Sequence, residues 1–237
     1  GSPENRLDLR IDGRPIQEVK VSKFLGVHID SNISWRAHIG KVIKKVSQTV
    51  GIIGRARRFM NGPQLMLLYN TMVLPHLQYC LLNWGNFKGD RNIGLRDRII
   101  SLQKCLVRIV SGATKYSHSP LFFELGTLKV DDLYSQSVRV FAYKSFRGLL
   151  PGGMANLVRK NDHGHMTRGA RSNFFVEHSD SRSIKSIAPR TWNSLSPELK
   201  QSPSVASFKE RSKLDLLGPY GSFVCSVRGC FACAGRP

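Results

Sequence analysis

Residues 20–45, "KVSKFLGVHIDSNISWRAHIGKVIKK", change from one pattern of apolar residues to another within a single short stretch. A strand-like apolar run ends at Phe24-Leu25-Gly26, and a lysine-rich pattern follows it. Between residues 40 and 60 the apolar residues recur at helical spacing and fall within about one-third of the helical wheel. The stretch therefore predicts a short β element that leads directly into an amphipathic helix.

The polar side of this predicted helix is basic. The residues opposite its apolar stripe are Lys41, Lys44, Gln48 and Arg55, with Lys45 beside them. Residues 40–60 contain six basic residues and no acidic one. A charged helix face is usually a solvated surface, but a cation-only face beside a β element also fits contact with the phosphates of a duplex.

The sequence predicts further elements upstream and downstream of this stretch. Upstream, residues 7–30 have the alternation of β structure, with a hairpin turn signal at Asp12-Gly13. Downstream, residues 63–83 predict a helix that Pro75 should kink or divide, and a third helix should end at Gly112.

Beyond residues 112–119 the patterns predict a second, mostly helical part of the chain. Its helices are expected at 120–125, from Asp131 or Asp132 to Phe146, and twice near the C-terminus. Residues 159–182 are polar and predict a long loop.

The charge balance points to polyanionic partners. The 237 residues include 36 Lys and Arg against 16 Asp and Glu, a formal net charge of +20. A membrane-surface protein would concentrate this charge on one face of a terminal amphipathic helix. Here the charge is spread along the whole chain, which favours nucleic acid, and neither a membrane nor a small-molecule substrate is expected. Five cysteines at irregular spacing fit an intracellular, reducing compartment, with nucleus and cytoplasm both open.

Five segments carry a family resemblance through their joint order and spacing. They are "KFLGVHIDSNISWRAHI" (23–39), "LYNTMVLPHLQYCLLNWG" (68–85), "LQKCLVRIVSG" (102–112), "PLFFELGTLKVDDL" (120–133) and "WNSLSPEL" with "SVASFKERSK" (192–213). In this order they resemble the C-terminal part of a non-LTR (LINE-type, jockey-like) retrotransposon reverse transcriptase, and they run through most of the chain.

The resemblance implies a role for each part of the chain. In that family the first segment closes the palm with the hairpin called the primer grip, the following helices form the thumb, and a helical C-terminal region comes after. Phe24, Leu25 and Gly26 match the primer-grip position. The basic helix face is assigned to the duplex from its helical wheel, because an RNA–DNA hybrid is recognised by shape and backbone, for which Lys and Arg suffice.

The resemblance does not bring a catalytic centre. The family holds two Mg²⁺ ions on palm carboxylates that lie before the primer grip. We therefore expect no catalytic residue and no cofactor here, and this chain alone should not polymerise DNA, although the parent would be an RNA-directed DNA polymerase. Asp131-Asp132 could be a displaced metal pair, but no hairpin signal surrounds it, which favours an acidic cap of a helix N-terminus.

The C-terminal cysteines could form part of a zinc knuckle, since two thiolates in a CxxC pattern can share one ion. They are Cys225, Cys230 and Cys233. The nearest histidines, at positions 163, 165 and 178, lie far upstream. Without a fourth ligand nearby, an oxidisable tail is favoured, and no metal site is assigned.

Two more groups could contact nucleic acid. Arg168 and Arg171 lie among Gly and Ser in "NDHGHMTRGARSN" (161–173), which fits an RNA-binding loop or a polar surface equally well. The three tryptophans, at positions 35, 84 and 192, could stack on bases, yet each lies in an apolar pattern and is more simply core.

The predicted fold is mainly α, with a small N-terminal antiparallel β-hairpin, a helical thumb and a second, mostly helical region. The expected boundaries are 1–35 for the end of the palm, 36–115 for the thumb and 116–237 for the C-terminal region with its polar loop. The predicted function is binding of an RNA–DNA primer–template duplex, with element RNA as a further candidate and the rest of the palm as protein partner. The alternative is an exapted retrotransposon-derived module that binds a protein or RNA.

Overall fold

The computed structural model describes residues 9–87, 92–113, 120–161, 173–176 and 183–221. Short antiparallel β pairs come first, and helices make up most of the rest. This confirms the predicted fold class, mainly α with a small β element at the N-terminus.

The β elements are two hairpins with two-residue turns. Strands β1 (Arg10–Ile11) and β2 (Arg14–Pro15) pair around Asp12-Gly13, and β3 (Val21–Phe24) pairs with β4 (Val27–Asp30) around Leu25-Gly26. Both residues of each turn have positive φ, 49° and 74° in the first turn and 46° and 82° in the second. This is the type I′ geometry that matches the twist of paired strands. Asp-Gly is a preferred sequence for it, whereas Leu25 is an unusual residue in the left-handed region.

A tight loop joins β4 to the first helix, α1 (Arg36–Ala56). Its last residues include Ile33 and Trp35, both in the left-handed region at φ 48° and 62°. Asp30 Oδ1 accepts hydrogen bonds from the backbone amides of Asn32 at 3.2 Å and Ser34 at 2.9 Å. Because these bonds replace backbone pairing, the loop can leave the sheet within a few residues.

Four helices follow α1 in the first part of the chain. They are α2 (Gly62–Met72), α3 (Leu74–Gln78), α4 (Leu81–Trp84) and α5 (Ile93–Ser111). Pro75 lies in the first turn of α3, so the predicted helix of residues 63–83 is divided, because proline cannot donate the hydrogen bond that a continuous helix requires. Gly112, with φ 70°, ends α5 as predicted.

The second part of the chain contains six more helices among its described residues. They are α6 (Pro120–Glu124), α7 (Val130–Phe146), α8 (Gly152–Ala155), α9 (Ile184–Asn193), α10 (Pro197–Lys200) and α11 (Val205–Gly221). The predicted loop at 159–182 is paired at its described ends, where Lys160 and Phe174 form an antiparallel bridge. Asn193 holds this bridge in place, since its side-chain amide donates to and accepts from the backbone of Phe174 at 2.9 Å.

Asp131 and Asp132 lie in the first turn of α7, near the positive end of the helix dipole, but neither side chain caps the helix. The expected capping bonds are therefore wrong. Asp131 instead accepts hydrogen bonds from Arg96 Nε at 2.9 and 3.0 Å, and Asp132 accepts one from the hydroxyl of Tyr220. Burial raises the pKa of the Asp132 carboxyl above its ordinary value, although the bond from Tyr220 opposes the change.

The apolar residues form two cores. The first core lies among α1 to α6, and the second lies among α7, α9, α10 and the region around Phe174. Helices α7 and α11 contribute to both, so they join the two parts of the chain. Trp84 and Trp192 are fully buried and Trp35 packs partly buried against the first core, as expected for core residues.

A buried glutamine ties α5 to the segment before α7. Gln103 Nε2 donates to the hydroxyl of Tyr69 and to the carbonyl of Leu128, both at 3.1 Å. Its Oε1 accepts from the backbone amide of Val130 at 2.9 Å. The side chain has no solvent exposure, so these bonds replace the water that its amide group loses on folding.

Candidate nucleic-acid interface

The exposed face of α1 is basic along its length. Its polar side carries Lys41, Lys44, Lys45, Gln48 and Arg55, all of them exposed. At 100° per residue these five side chains fall within an arc of about 100°. None of the four cations forms an ion pair with a carboxylate of the described chain, so their charge is available to a ligand.

The opposite face of α1 fixes this arrangement. Its buried residues are His38, Ile39, Val42, Ile43, Val46, Thr49 and Ile53. They pack into the first core, chiefly against α5 and also against α2 and α3. Lys41 and Arg55 are fourteen positions apart, which corresponds to about 21 Å along a helix axis. The cations are therefore spaced along a helix whose opposite face is packed into the core.

The turn of the second hairpin projects into solvent. The side chains of Phe24 and Leu25 are 63% and 75% exposed. The hydroxyl of Tyr79 donates a hydrogen bond of 2.5 Å to the carbonyl of Leu25, and the backbone carbonyl of Tyr79 accepts one from Trp84 Nε1 at 2.8 Å. Gly26 also lies close to Tyr79: a Cβ added at Gly26 would be 3.6 Å from the tyrosine ring. The turn is thus fastened to the α3–α4 segment.

Two histidines lie where β4 meets α1. The rings of His28 and His38 are 6.4 Å apart, and His38 meets the ring of Trp84 edge-on at 5.5 Å. His38 is 5% exposed, and neither of its ring nitrogens has a hydrogen-bond partner among the described residues. Burial, and then the nearby His28, lower the pKa of His38 below its ordinary value, so its neutral form is favoured.

The loop between the hairpin and α1 is fastened from α5 as well. Asn92 Nδ2 donates to the carbonyl of Ser34 at 2.8 Å. Burial of the Asp30 carboxyl opposes its ionisation, but hydrogen bonds from Ser34 and its neighbours outweigh this, and the pKa of Asp30 lies below its ordinary value. The hairpin and the basic helix therefore hold a fixed relation to each other.

The structure places the two predicted groups of site residues on one continuous part of the fold. Phe24 ends β3, Leu25 and Gly26 form the hairpin turn, and the five polar residues of α1 follow across the loop. Arg168, Arg171 and the three C-terminal cysteines lie outside the described residues. Within the described ranges, no group of three or more His, Cys, Asp or Glu side chains is arranged to hold a metal ion.

No pattern in the sequence singles out Tyr79 and Asn92, which fasten the turn and the loop. Tyr79 follows Pro75 in a stretch whose apolar pattern predicted only a helix, and its partner is 54 positions away. Asn92 lies in a loop pattern just before α5. The break that Pro75 makes in the helix is the one signal that could have directed attention to the residues after it.

No helix of the described chain combines the length and the apolar character needed to cross a membrane. Comparison with family models, with curated proteins and with solved structures finds no match for this chain.

Proposed function

We propose that this chain is the primer-grip, thumb and C-terminal region of a LINE-type reverse transcriptase, which holds the RNA–DNA primer–template duplex. The observation that carries the proposal is the exposed, cation-only face of α1 immediately after a fastened β-hairpin turn. A polymerase must hold the primer terminus still and clamp the duplex behind it. A stiff turn suits the first task, and spaced cations that meet phosphates suit the second.

The N-terminal β segment supports the part of the proposal that concerns a protein partner. Apolar side chains that are about half exposed or more crowd this short segment: Leu9, Ile11, Ile16, Val19, Val21, Phe24, Leu25 and Ile33. A concentration of exposed apolar side chains in one short segment is characteristic of an interaction site. We propose that it packs against the rest of the palm, which carries the catalytic carboxylates and their Mg²⁺ in the parent enzyme. The complex would act inside the cell, in the nucleus, the cytoplasm or both.

The decisive experiment measures binding by fluorescence anisotropy across a salt series. The ligands are an RNA–DNA hybrid, single-stranded RNA and double-stranded DNA, and the proteins are the wild type and the Lys41→Ala/Lys44→Ala/Arg55→Ala variant. We expect the hybrid to bind with a slope of log K against log salt of about −3 or steeper, and the variant to lose about two to three units of that slope.

A matched variant separates position from total charge. Lys185→Ala/Arg190→Ala/Arg211→Ala also removes three exposed cations, but from α9 and α11. It should leave hybrid binding within about twofold of the wild type. Equal losses in the two variants, or weak binding of all three ligands, would refute the assignment of α1 to the duplex.

A further inference from the structure

A second surface, distinct from the α1 face, lies between α2–α3 on one side and α7–α11 on the other. Two cavities of about 460 and 560 Å³ lie here, and both are lined by Gln78, Gln136 and Lys209, so they meet at these residues. Gln136 Nε2 donates to the carbonyl of Lys209 at 3.0 Å, which ties α7 to α11 at the junction. We call the combined depression the α7/α11 groove.

The floor of the α7/α11 groove is aliphatic. The half-buried side chains that line it include Met66, Leu74, Leu82, Leu125, Val140 and Val205. The described lining residues offer no aromatic face for base stacking, because the one aromatic side chain among them, Phe141, is only 5% exposed. Single-stranded nucleic acid is usually held on exposed aromatic or guanidinium planes. The floor therefore suits aliphatic side chains better than bases.

The rim of the groove is positively charged. Lys209 and Lys213 are exposed, Lys144 is half-buried, and among the described residues Glu210 is the only carboxylate that lines either cavity. None of the three lysines forms an ion pair with a described carboxylate. A ligand that placed carboxylates on the rim and aliphatic side chains on the floor would match both properties.

From this combination we infer that the α7/α11 groove binds an acidic amphipathic peptide segment of a partner protein. The inference goes beyond the proposed duplex binding and does not depend on it. Helix-in-groove recognition places apolar anchors at helical spacing in such a groove, and acidic residues beside those anchors would pair with Lys144, Lys209 and Lys213.

The test begins with a displayed library of random peptides of about 15 residues, near the shortest length at which an isolated helix is populated. Selection uses the whole chain, with counter-selection against Ala206→Trp. Ala206 is exposed and lines the groove, so the indole should fill it without disturbing a core. Leu214→Trp adds the same ring at an exposed position of α11 outside the groove. We expect enriched peptides that combine aliphatic residues with Asp or Glu.

Anisotropy with an enriched peptide then tests each part of the groove. Ala206→Trp and, separately, Lys209→Glu/Lys213→Glu should weaken binding by about tenfold or more, whereas Leu214→Trp should change it by less than about twofold. Circular dichroism of each variant checks that it is folded. Binding that is insensitive to the first two changes would place the peptide elsewhere and overturn the inference.

Three other outcomes would overturn it as well. The first is a library that enriches nothing on the wild type over Ala206→Trp, and the second is an enriched set that is basic or uncharged. The third is oligouridylate binding that Ala206→Trp abolishes, since the groove would then be a nucleic-acid site. Ala206→Trp should bind the RNA–DNA hybrid as the wild type does. A failure of the peptide-groove inference can therefore be told apart from a failure of the duplex proposal.

Discussion

The hydroxyl of Tyr79 donates a hydrogen bond to the carbonyl of Leu25, joining the tip of a β-hairpin to a segment 54 positions further along the chain. The turn projects into solvent and carries an unusual residue, Leu25, at positive φ. This contact, together with the hydrogen bond from Asn92 to Ser34, makes the proposed primer grip part of the helical body.

Removing that hydroxyl should loosen the hairpin without unfolding the protein. In Tyr79→Phe we expect the backbone amides of β3 and β4 to exchange with solvent about fivefold faster, because a typical hydrogen bond contributes about 1 kcal/mol. Hydrogen exchange followed by mass spectrometry measures this directly. Tyr134→Phe, which removes a tyrosine hydroxyl from α7, should leave hairpin exchange unchanged. An equal rate in Tyr79→Phe and the wild type would show that the bond does not restrain the turn.

The two turn residues should respond to substitution in opposite directions. Leu25→Asn should raise the free energy of unfolding by about 0.5 kcal/mol, because asparagine tolerates the left-handed region better than leucine. Gly26→Ala should lower it by about 1 kcal/mol, because alanine is strained at the φ of +82°. The added Cβ would make only an ordinary 3.6 Å contact with Tyr79, so steric overlap adds no further cost. Urea denaturation measures both. If Leu25 holds the primer, Leu25→Asn will also weaken hybrid binding while stabilising the fold.

Replacing Gln103 by an apolar residue of nearly the same size should destabilise the protein. Gln103→Leu leaves the buried amide of Val130 and the carbonyl of Leu128 without their partner. We expect it to lower the free energy of unfolding by about 2–3 kcal/mol, since an unsatisfied buried polar group retains its full desolvation cost. Gln48→Leu on the exposed face of α1 is the matched control and should shift stability by less than about 0.5 kcal/mol. Similar losses at the two positions would contradict the role of the buried network.

Acid should destabilise the protein through His38. The pKa of His38 is lowered in the folded state from an ordinary value of 6.5, so below that value the unfolded chain binds more protons than the folded one. Its contribution to stability is complete above pH 6.5 and is lost as the pH falls below it. His38→Phe should remove this part of the pH dependence, measured by urea denaturation between about pH 8 and pH 5. Identical pH profiles for the variant and the wild type would rule out His38 as the cause.

The exposed apolar side chains of the N-terminal β segment should limit the solubility of this chain. We expect Ile11→Thr/Ile16→Thr/Val19→Thr to slow aggregation, measured by light scattering, because exposed apolar surface recruits other chains. The melting temperature should stay within about 1–2 °C, since these side chains are about half exposed or more and lose little packing. A lower melting temperature would mean that the residues stabilise the isolated fold.

The local elements could be predicted because their signals come from neighbouring residues. The apolar stripe of α1, the break at Pro75 and the end of α5 at Gly112 each follow from spacing or from the backbone limits of one residue. At Leu25-Gly26 the apolar pattern indicates only the end of a strand-like run, and it does not indicate that Leu25 adopts the left-handed conformation of a two-residue turn.

The role of Asp131 could not be predicted in the same way. Two acidic residues at the start of a helix fit a cap, yet Arg96, 35 positions earlier, takes the carboxylate of Asp131. A side chain can bond to any partner that tertiary packing brings within hydrogen-bonding distance, and the spacing of residues in the sequence does not show which partner that is.

The sequence by itself determined that α1 has one apolar and one basic face, because a repeat of 3.6 residues fixes which side chains share a side. It also determined the positive field and the helical class. Only the tertiary structure decided that Tyr79 fastens Leu25, and that α2, α3, α7 and α11 enclose an aliphatic groove with a lysine rim. Those features arise from contacts between segments far apart in the chain, whose positions depend on how the two cores pack as a whole.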